Sequence, residues 1–387
     1  MNSSMYVNSK HRIFGLDIIR ALAILLVLCS HSTLLLFPNK HNIYLTIVQF
    51  FGTVGVDLFF VLSGYLIGGI LLKQINEGNV KINDFLYFWV RRWFRTLPNY
   101  FLILILNILL FYFLHEKIIE NVGYFFVFLQ NFSSPHPDFF TESWSLSIEE
   151  YAYIVGPLIL FVLLSLFKNG AKKQLYLAMS LVVIIVITFL RIDYHTSHDI
   201  ISHHDWSQHI RKVVVYRMDS IYYGFLAAYI AQSYNLIWNR YKKWFLIMGV
   251  LLFLVLHCCI FLFNMQPENH QLFFNIFYLP LLSISLLLFF PFFSNWKKGG
   301  LFKHTITKIS VLSYALYLIN YSLVLLTIQN FINVEDASLT VNFLILLLYW
   351  FSSFGLSHLL FKYFEIPMTN LRDSNFIKKD LFKKNTY

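Results

Sequence analysis

Charge, cysteine and low-complexity sequence are all scarce in this chain. Only 13% of its 387 residues are Asp, Glu, Lys or Arg, too few to clothe a soluble protein of this length. The three cysteines, Cys29, Cys258 and Cys259, all fall within apolar runs and supply neither a disulfide framework nor a four-ligand metal site, so they read as packing residues. There is no internal repeat, no Gly-rich phosphate loop and no low-complexity linker, which leaves one domain as the reading. The short charged, apolar and small-residue pattern of a cleaved signal peptide does not precede the first apolar run, so that run is expected to remain as a helix.

What the chain has in excess is apolar surface: 58% of residues are hydrophobic and 19% aromatic, the composition of an integral membrane protein. A hydrocarbon core of about 30 Å needs about 20 apolar residues per helix. Windows of that kind occur at 14–37, 44–72, 98–114, 148–167, 174–190, 213–233, 243–263, 271–293, 309–331 and 339–361. An eleventh apolar piece, NVGYFFVFLQNF at 121–132, is half a span long and reads as re-entrant or interfacial. The expected fold is all-α, a polytopic membrane helix bundle of about ten transmembrane helices plus that short segment. A cytoplasmic tail (1–13), the transmembrane domain (14–362) and a basic cytoplasmic tail (363–387) divide the chain.

Ten crossings put both termini on one side. If that side is the cytoplasm, 23 of the 30 Lys and Arg residues fall on it and five on the other, as the positive-inside rule requires. The net charge of +10 is then a matter of topology and contact with anionic membrane lipids, and nucleic acid is not expected as a partner.

Against this apolar background the ionisable residues stand out. The first span, LDIIRALAILLVLCSHS, holds Asp17, Arg20 and His31. Arg20 and His31 are 11 residues apart, three helical turns, so they leave one face about 16 Å apart along the axis, with Asp17 close to the same face. Charges at mid-span cost on the order of 2.5–3.5 kcal/mol each and normally face the bundle interior or water. Arg20 can also snorkel, Asp17 can simply pair with it, and His31 can be a hydrogen-bonded core residue; the shared face favours function.

The second span, FGTVGVDLFFVLSGYLIGG, buries Asp57 among aromatic residues, while its glycines suit either close helix packing or ligand approach. In VRRWFRTLPNYF, Arg91, Arg92 and Arg95 precede Pro98 at an expected helix start. Arg92 and Arg95, three apart, project together as a phosphate grip requires, although positive-inside anchoring also explains them. ESWSLSIEEYAY brings Glu149 and Glu150 to the start of the fourth span, at the level expected for His31. There the carboxylates either fix a histidine general base or cap the helix. The stretch YHTSHDIISHHDWSQH, 194–209, packs five histidines and two aspartates into an outer loop. Zinc binding and acid sensing fit its composition, but no closed metal site fits its spacing, so a solvated loop facing the acceptor is the preferred reading and no metal is expected.

Taken in order, these strings resemble the acyltransferase-3 family of multi-pass membrane O-acyltransferases. LDIIRALAILLVLCSH is similar to its first-helix arginine and histidine pair, GVDLFFVLSGYLI to its second-helix signature and RRWFRTLP to its arginine motif. WSLSIEEYAY is similar to its glutamate element, and ISVLSYALYLIN with FEIP to its last two helices. The resemblance runs from about 12 to 368, and five motifs in sequence are specific where one would be weak. Two departures stand out: Asn320 occupies a position where the family often has histidine, and Tyr151 and Ala152 replace Gln-Phe. An asparagine cannot shuttle a proton, so Asn320 is left outside the expected catalytic set.

The resemblance implies transfer of an acyl group, usually acetyl from cytoplasmic acetyl-CoA, to a hydroxyl of an envelope glycan or lipid-linked sugar such as lipopolysaccharide O-antigen. It implies a bacterial cytoplasmic (inner) membrane setting and no metal. His31, Glu149 and Arg20 are then expected to be catalytic, and Arg91, Arg92, Arg95 and Arg20 to hold acetyl-CoA. Asp57, Ser63, Glu150 and Trp144 are expected to meet the acceptor, a glycan or glycolipid. Some members carry an additional extracytoplasmic esterase-like domain; here acceptor handling is expected in the membrane domain or in a partner. His31 either deprotonates the sugar hydroxyl directly or carries the acyl group covalently. The rival class is a transporter or flippase for a glycolipid or small anion, against which stands the lack of two matched halves with broken helices.

Overall fold

The computed structural model describes residues 12–40, 42–117, 119–334 and 337–372, and among these every regular element is helical. The expectations for residues 1–11 and 373–387, most of the two tails, lie outside the described residues. The elements are α1 (Phe14–Leu36), α2 (Ile43–Asn76), α3 (Ile82–His115), the single turn α4 (Gly123–Phe126), α5 (Ser143–Leu166) and α6 (Lys172–Ser197). The short α7 (His203–Trp206) runs into a π-helical turn, Ser207–Arg211, before α8 (Val214–Arg217), α9 (Asp219–Ser233), α10 (Asn235–Arg240) and α11 (Lys242–Leu262). A second π-helical turn, Phe273–Tyr278, leads to α12 (Leu279–Leu287) and α13 (Phe290–Phe293). A third, Asn320–Leu325, joins α14 (Lys303–Ile319) to α15 (Leu326–Phe331), and a fourth, Phe361–Glu365, joins α16 (Leu339–Leu360) to α17 (Ile366–Leu371).

Nine helical stretches among the described residues are long and apolar enough to cross a membrane, and each overlaps one of the ten expected spans. The tenth, 213–233, is present but broken at Met218 into α8 and α9. The break sits between two residues that turn away to separate ion pairs, Arg217 to Asp57 and Asp219 to Arg191. The piece at 121–132 does not cross. Its end is fastened by Asn131, whose Nδ2 donates to the carbonyls of Trp144 (2.9 Å) and Lys212 (2.6 Å), and whose own carbonyl accepts from the Val214 amide (3.0 Å). This clamp ties the start of α5 to the segment before α8.

Two helix starts differ from the hydropathy reading in ways that move the site. First, α3 begins at Ile82, where the Asp84 side chain accepts the Lys81 amide at 2.9 Å, and Pro98 lies inside it, so Arg91, Arg92 and Arg95 sit mid-helix. Second, α5 begins at Ser143, which puts Glu149 and Glu150 in its second turn and excludes them as helix caps. Hydropathy missed both starts because they are polar. The serines of α5 are satisfied by distant partners: Ser143 Oγ by His136 Nε2 (2.9 Å), Ser145 by Tyr317 (2.7 Å) and Ser147 by Gln130 (2.7 Å).

The core is formed by α1, α2 and α9 in close contact. Gly64 of α2 lies against the backbone of Ile221, and Gly224 of α9 against that of Val61, so any side chain there would overlap a backbone. Cys29 and Cys258 are exposed on the outside of the bundle and Cys259 is half-buried, so the first two are not the packing residues expected; an isolated thiol is apolar enough to face lipid.

Candidate active site

Four helices contribute polar stripes to the interior: α1 with Asp17, Arg20 and His31; α3 with Arg92, Thr96 and Asn99, and Arg95 exposed at the edge of its stripe; α5 with Glu142 just before it, Ser145 and Glu149; and α14 with Ser310, Tyr314 and Tyr317. Spacings of three, four and seven keep each set near one face.

At the end of the bundle where α1 begins, Asp17 is taken by Arg12 and by Ser310 Oγ (2.8 Å), and its nearest approach to Arg20 is 4.0 Å. Asp17 is therefore not primarily the partner of Arg20. Arg20 lies within Coulombic reach of Arg95, Arg12 and Arg92, and among the described residues Arg95 makes no hydrogen bond or ion pair. Of these four guanidinium groups, Arg12 and Arg92 are engaged by Asp17 and Glu149, and Arg20 reaches Asp17 only at 4.0 Å.

Arg92 and Arg95, expected to project together, have different neighbours. Arg92 donates to Glu149 Oε2 (3.1 Å) and lies over the Tyr153 ring at 4.3 Å. A three-residue step rotates the side chain by about 60°, which sends Arg92 toward α5 and Arg95 toward Glu365, itself held by Asn99 Nδ2 at 2.8 Å. Arg91 is exposed and lies over the Tyr87 ring at 5.5 Å, away from this group.

Glu149 accepts from Ser63 Oγ (3.0 Å) and Tyr153 Oη (3.2 Å) as well as from Arg92, and Glu150 accepts from Thr96 Oγ1 (3.0 Å). His31 shares in none of these bonds, so the expected imidazole–Glu149 partnership is corrected. The acid at the histidine's level is Glu142, seven residues and about 10 Å along the helix from Glu149. The Asp57 carboxylate is buried and bound by Arg217, which donates in addition to Ser220 Oγ (2.7 Å). Of the expected acceptor set, only Trp144 lines the cavity described next; Ser63 and Glu150 do not.

That cavity, about 250 Å³, is lined by His31, Glu142, Trp144, Arg211, Lys212, Tyr317 and Tyr321, with Gln49 and Thr53 of α2. His31 Nδ1 is 2.5 Å from Asn320 Oδ1. The Asn320 amide cannot be reversed without loss, because Nδ2 donates to the carbonyls of Leu316 (2.7 Å) and Tyr317 (2.9 Å). Its oxygen must therefore face the imidazole, which fixes the proton on Nδ1 and leaves the lone pair on Nε2. The Tyr349 hydroxyl donates to the same oxygen (3.3 Å), and the Tyr321 ring stands 4.8 Å from the imidazole.

Glu142 accepts from Ser322 Oγ (2.5 Å) and from the Ser322 amide (3.3 Å); burial nevertheless pushes its carboxyl up to about 7. Burial, followed by the neighbouring charge of Arg211, brings Lys212 down to about 8. Neither Glu142 nor Asn320 was placed in the site by the sequence reading. Extending the α5 stripe seven residues back from Glu149 would have reached Glu142, whereas Asn320 was set aside for lacking a titratable proton. Among the described residues no three His, Cys, Asp or Glu side chains converge at metal-binding distance, the histidine-rich loop included; there His209 pairs with Asp205 at 2.8 Å.

A polytopic helix bundle thus carries an arginine cluster where α1 begins, a histidine with a fixed tautomer in a cavity further along, and polar side chains between them. The chain belongs to the acyltransferase-3 family, whose acyltransferase-domain model matches residues 13–362. It is 34% identical over 187 residues to the putative peptidoglycan O-acetyltransferase YrhL of Bacillus subtilis, which covers 43% of this chain and 27% of that one. It is 30% identical over 179 residues (42% and 26%) to the peptidoglycan O-acetyltransferase OatA of Listeria monocytogenes. To the O-acetyltransferase OatA of Staphylococcus aureus it is 32% identical over 193 residues (46% and 30%). The match thus spans under a third of each relative's length. No solved structure matches the chain.

Proposed function

We propose that this chain is a membrane O-acetyltransferase that takes acetyl from acetyl-CoA and places it on a hydroxyl of an envelope glycan. Three relatives named as O-acetyltransferases, two of them for peptidoglycan, support the reaction class, and peptidoglycan takes precedence over lipopolysaccharide as the glycan. The observation that carries the reading is the His31–Asn320 pair, because an imidazole held with Nε2 bare toward a cavity is a prepared general base.

In this reading the CoA phosphates rest on Arg20 and Arg95, and the thioester arm runs along the polar column toward His31, about 16 Å away along α1. His31 Nε2 takes the proton of the acceptor hydroxyl as its oxygen attacks the thioester carbonyl. The tetrahedral intermediate expels the CoA thiolate, and the proton on Nε2 passes to that sulfur, leaving the imidazole as it began. Asn320 is a positioning residue: it holds the ring's tautomer through both steps and accepts the Nδ1 proton's hydrogen bond while the imidazolium exists. Arg92 and Glu149 brace α3 against α5 beside the path. The chain sits in the bacterial cytoplasmic membrane with α8 and α9 as the tenth crossing and both termini inside.

The test uses the full chain in lipid nanodiscs with radiolabelled acetyl-CoA and soluble peptidoglycan fragments. The expected result is glycan-dependent CoA release with acetyl ester on the glycan, lost in His31→Ala. Failure to bind acetyl-CoA, together with turnover unaffected by Arg20→Ala and Arg95→Ala, overturns the reading. Movement of intact glycolipid between leaflets without CoA release replaces it with a flippase.

A further inference from the structure

We infer that the cavity around His31 contains a dedicated anion subsite, formed by Arg211 and Lys212, that selects acceptor sugars carrying a carboxylate or phosphate. The inference rests on the proposed reading of this cavity as the acceptor chamber and adds to it the chemical class of the acceptor.

Both cations line the same cavity as His31, and among the described residues neither is in an ion pair with a carboxylate. The acids within reach are committed elsewhere or stand off. Glu142 is bound to Ser322, Asp57 to Arg217, and Asp138 acts on Lys212 only through space. Arg211 is held by the bond from its Nε to Ser207 Oγ (3.0 Å) and by its place over the Trp144 ring (4.9 Å). Its two terminal nitrogens make no hydrogen bond among the described residues, and those are the pair that grips a planar anion in a fork.

Lys212 is fixed at the backbone, where its carbonyl accepts Asn131 Nδ2 at 2.6 Å. Burial and the adjacent guanidinium draw it down to about 8, outweighing the more distant charge of Asp138. Two half-buried, unneutralised cations on a segment clamped to α5 cost stability unless a ligand supplies the missing charge. Beside them Trp144, Tyr317 and Tyr321 line the chamber with aromatic rings, Trp144 beneath the Arg211 guanidinium, and His31 lines the same chamber. A neutral hexose fills the aromatic wall and leaves the cations unanswered; an acidic sugar answers both.

The experiment measures binding to the full chain in nanodiscs of zwitterionic lipid, so that no anionic headgroup competes. The probes are N-acetylmuramic acid, its methyl ester, N-acetylglucosamine and N-acetylglucosamine 1-phosphate. At least one charged sugar is expected to bind about tenfold tighter than its neutral counterpart, the gain of a charge-assisted fork. The carboxylate and phosphate arms identify which anion is selected. In Arg211→Gln/Lys212→Gln the charged sugar is expected to fall to the affinity of the neutral one, while binding of the neutral sugar persists and so reports an intact cavity. Arg211→Lys is expected to keep part of the preference. Equal affinity of charged and neutral sugars for the native chain, or a preference that survives the double substitution, overturns the inference. Turnover of acetyl-CoA plays no part in this readout. A chain that acetylates neutral glycan without preference loses only the subsite, and one that prefers acidic sugars but never turns over acetyl-CoA loses only the acetyltransferase reading.

Discussion

Asn320 meets His31 across 289 residues of sequence, its carbonyl oxygen 2.5 Å from Nδ1 and its amide nitrogen committed to two carbonyls of the preceding turn. An asparagine here does what a carboxylate does beside other catalytic histidines: it fixes which nitrogen carries the proton. It does so without adding a charge to the membrane interior. Asn320→Leu frees the tautomer and removes the acceptor for the imidazolium's Nδ1 proton. A fall in kcat on the order of 10²-fold is expected, with KM for acetyl-CoA unchanged, because the donor's charged groups are held elsewhere. Asn320→Asp keeps an acceptor for Nδ1 but sets a carboxylate oxygen against the Leu316 and Tyr317 carbonyls, so a smaller fall in kcat is expected there too. Initial rates at varied donor concentration separate the two terms.

The arginines of α1 and α3 are expected to divide into two kinds. Among the described residues Arg95 makes no ion pair and Arg20 only a long one, 4.0 Å to Asp17, so Arg20→Gln and Arg95→Gln are expected to raise KM or Kd for acetyl-CoA about tenfold each while leaving the melting temperature close to that of the native chain. Arg92 is already bound to Glu149, with side chains only 10% and 15% exposed. Arg92→Gln leaves that carboxylate with hydroxyl partners alone, and a loss of about 3 kcal/mol is expected; Glu149→Gln in the same chain is expected to restore part of it. Thermal unfolding in detergent, set beside acetyl-CoA binding, distinguishes the kinds.

The helices were legible because their lengths are set by the bilayer, and nine of the ten expected spans are present as long apolar helices. What hydropathy could not register was polar sequence folded by distant bonds. The first half of α3 and the first turn of α5 belong to helices only because Asp84, His136, Gln130 and Tyr317 satisfy them. Moving the start of α5 back to Ser143 shifts Glu149 out of the histidine's level and brings Glu142 into it. The partner of Asp57, 160 residues away, and the orientation of Asn320 are likewise tertiary facts with no local signature. His31, Arg20 and Trp144 were legible because an ionisable or aromatic residue on an interior face of a spanning helix has few other reasons to be there.

Glycines at the contact of α2 and α9 carry a prediction about stability alone. A Cβ on Gly64 would overlap the carbonyl of Ile221, and one on Gly224 would overlap that of Val61; both obstacles are backbone and cannot rotate aside. Gly64→Ala and Gly224→Ala are each expected to cost about 1–3 kcal/mol, as overpacking does. Gly355, on α16, has open space around the same position, so Gly355→Ala is expected to be neutral or slightly stabilising. Melting temperatures of the three variants in one detergent provide the comparison.

Glu142 lies just before α5, buried beside His31's cavity, and burial raises its carboxyl from 4.5 to about 7 despite two bonds from Ser322. A carboxyl whose pKa is higher folded than unfolded favours the folded state when protonated. Its contribution is fully present below about 4.5, shrinks as pH rises toward 7, and is gone above that. The native chain is therefore expected to lose stability between pH 4.5 and about 7 through this group, a window set by the two values above. Glu142→Gln keeps the shape and an acceptor for Ser322 without the charge, so its melting temperature is expected to be flatter across that window and higher than the native chain's at pH 8. The same substitution distinguishes a structural acid from one that helps His31. If Glu142 serves only the fold, the pH profile of kcat is the same in both chains; if its ionised form stabilises the imidazolium, kcat of Glu142→Gln falls most above pH 7, where the native carboxylate is charged.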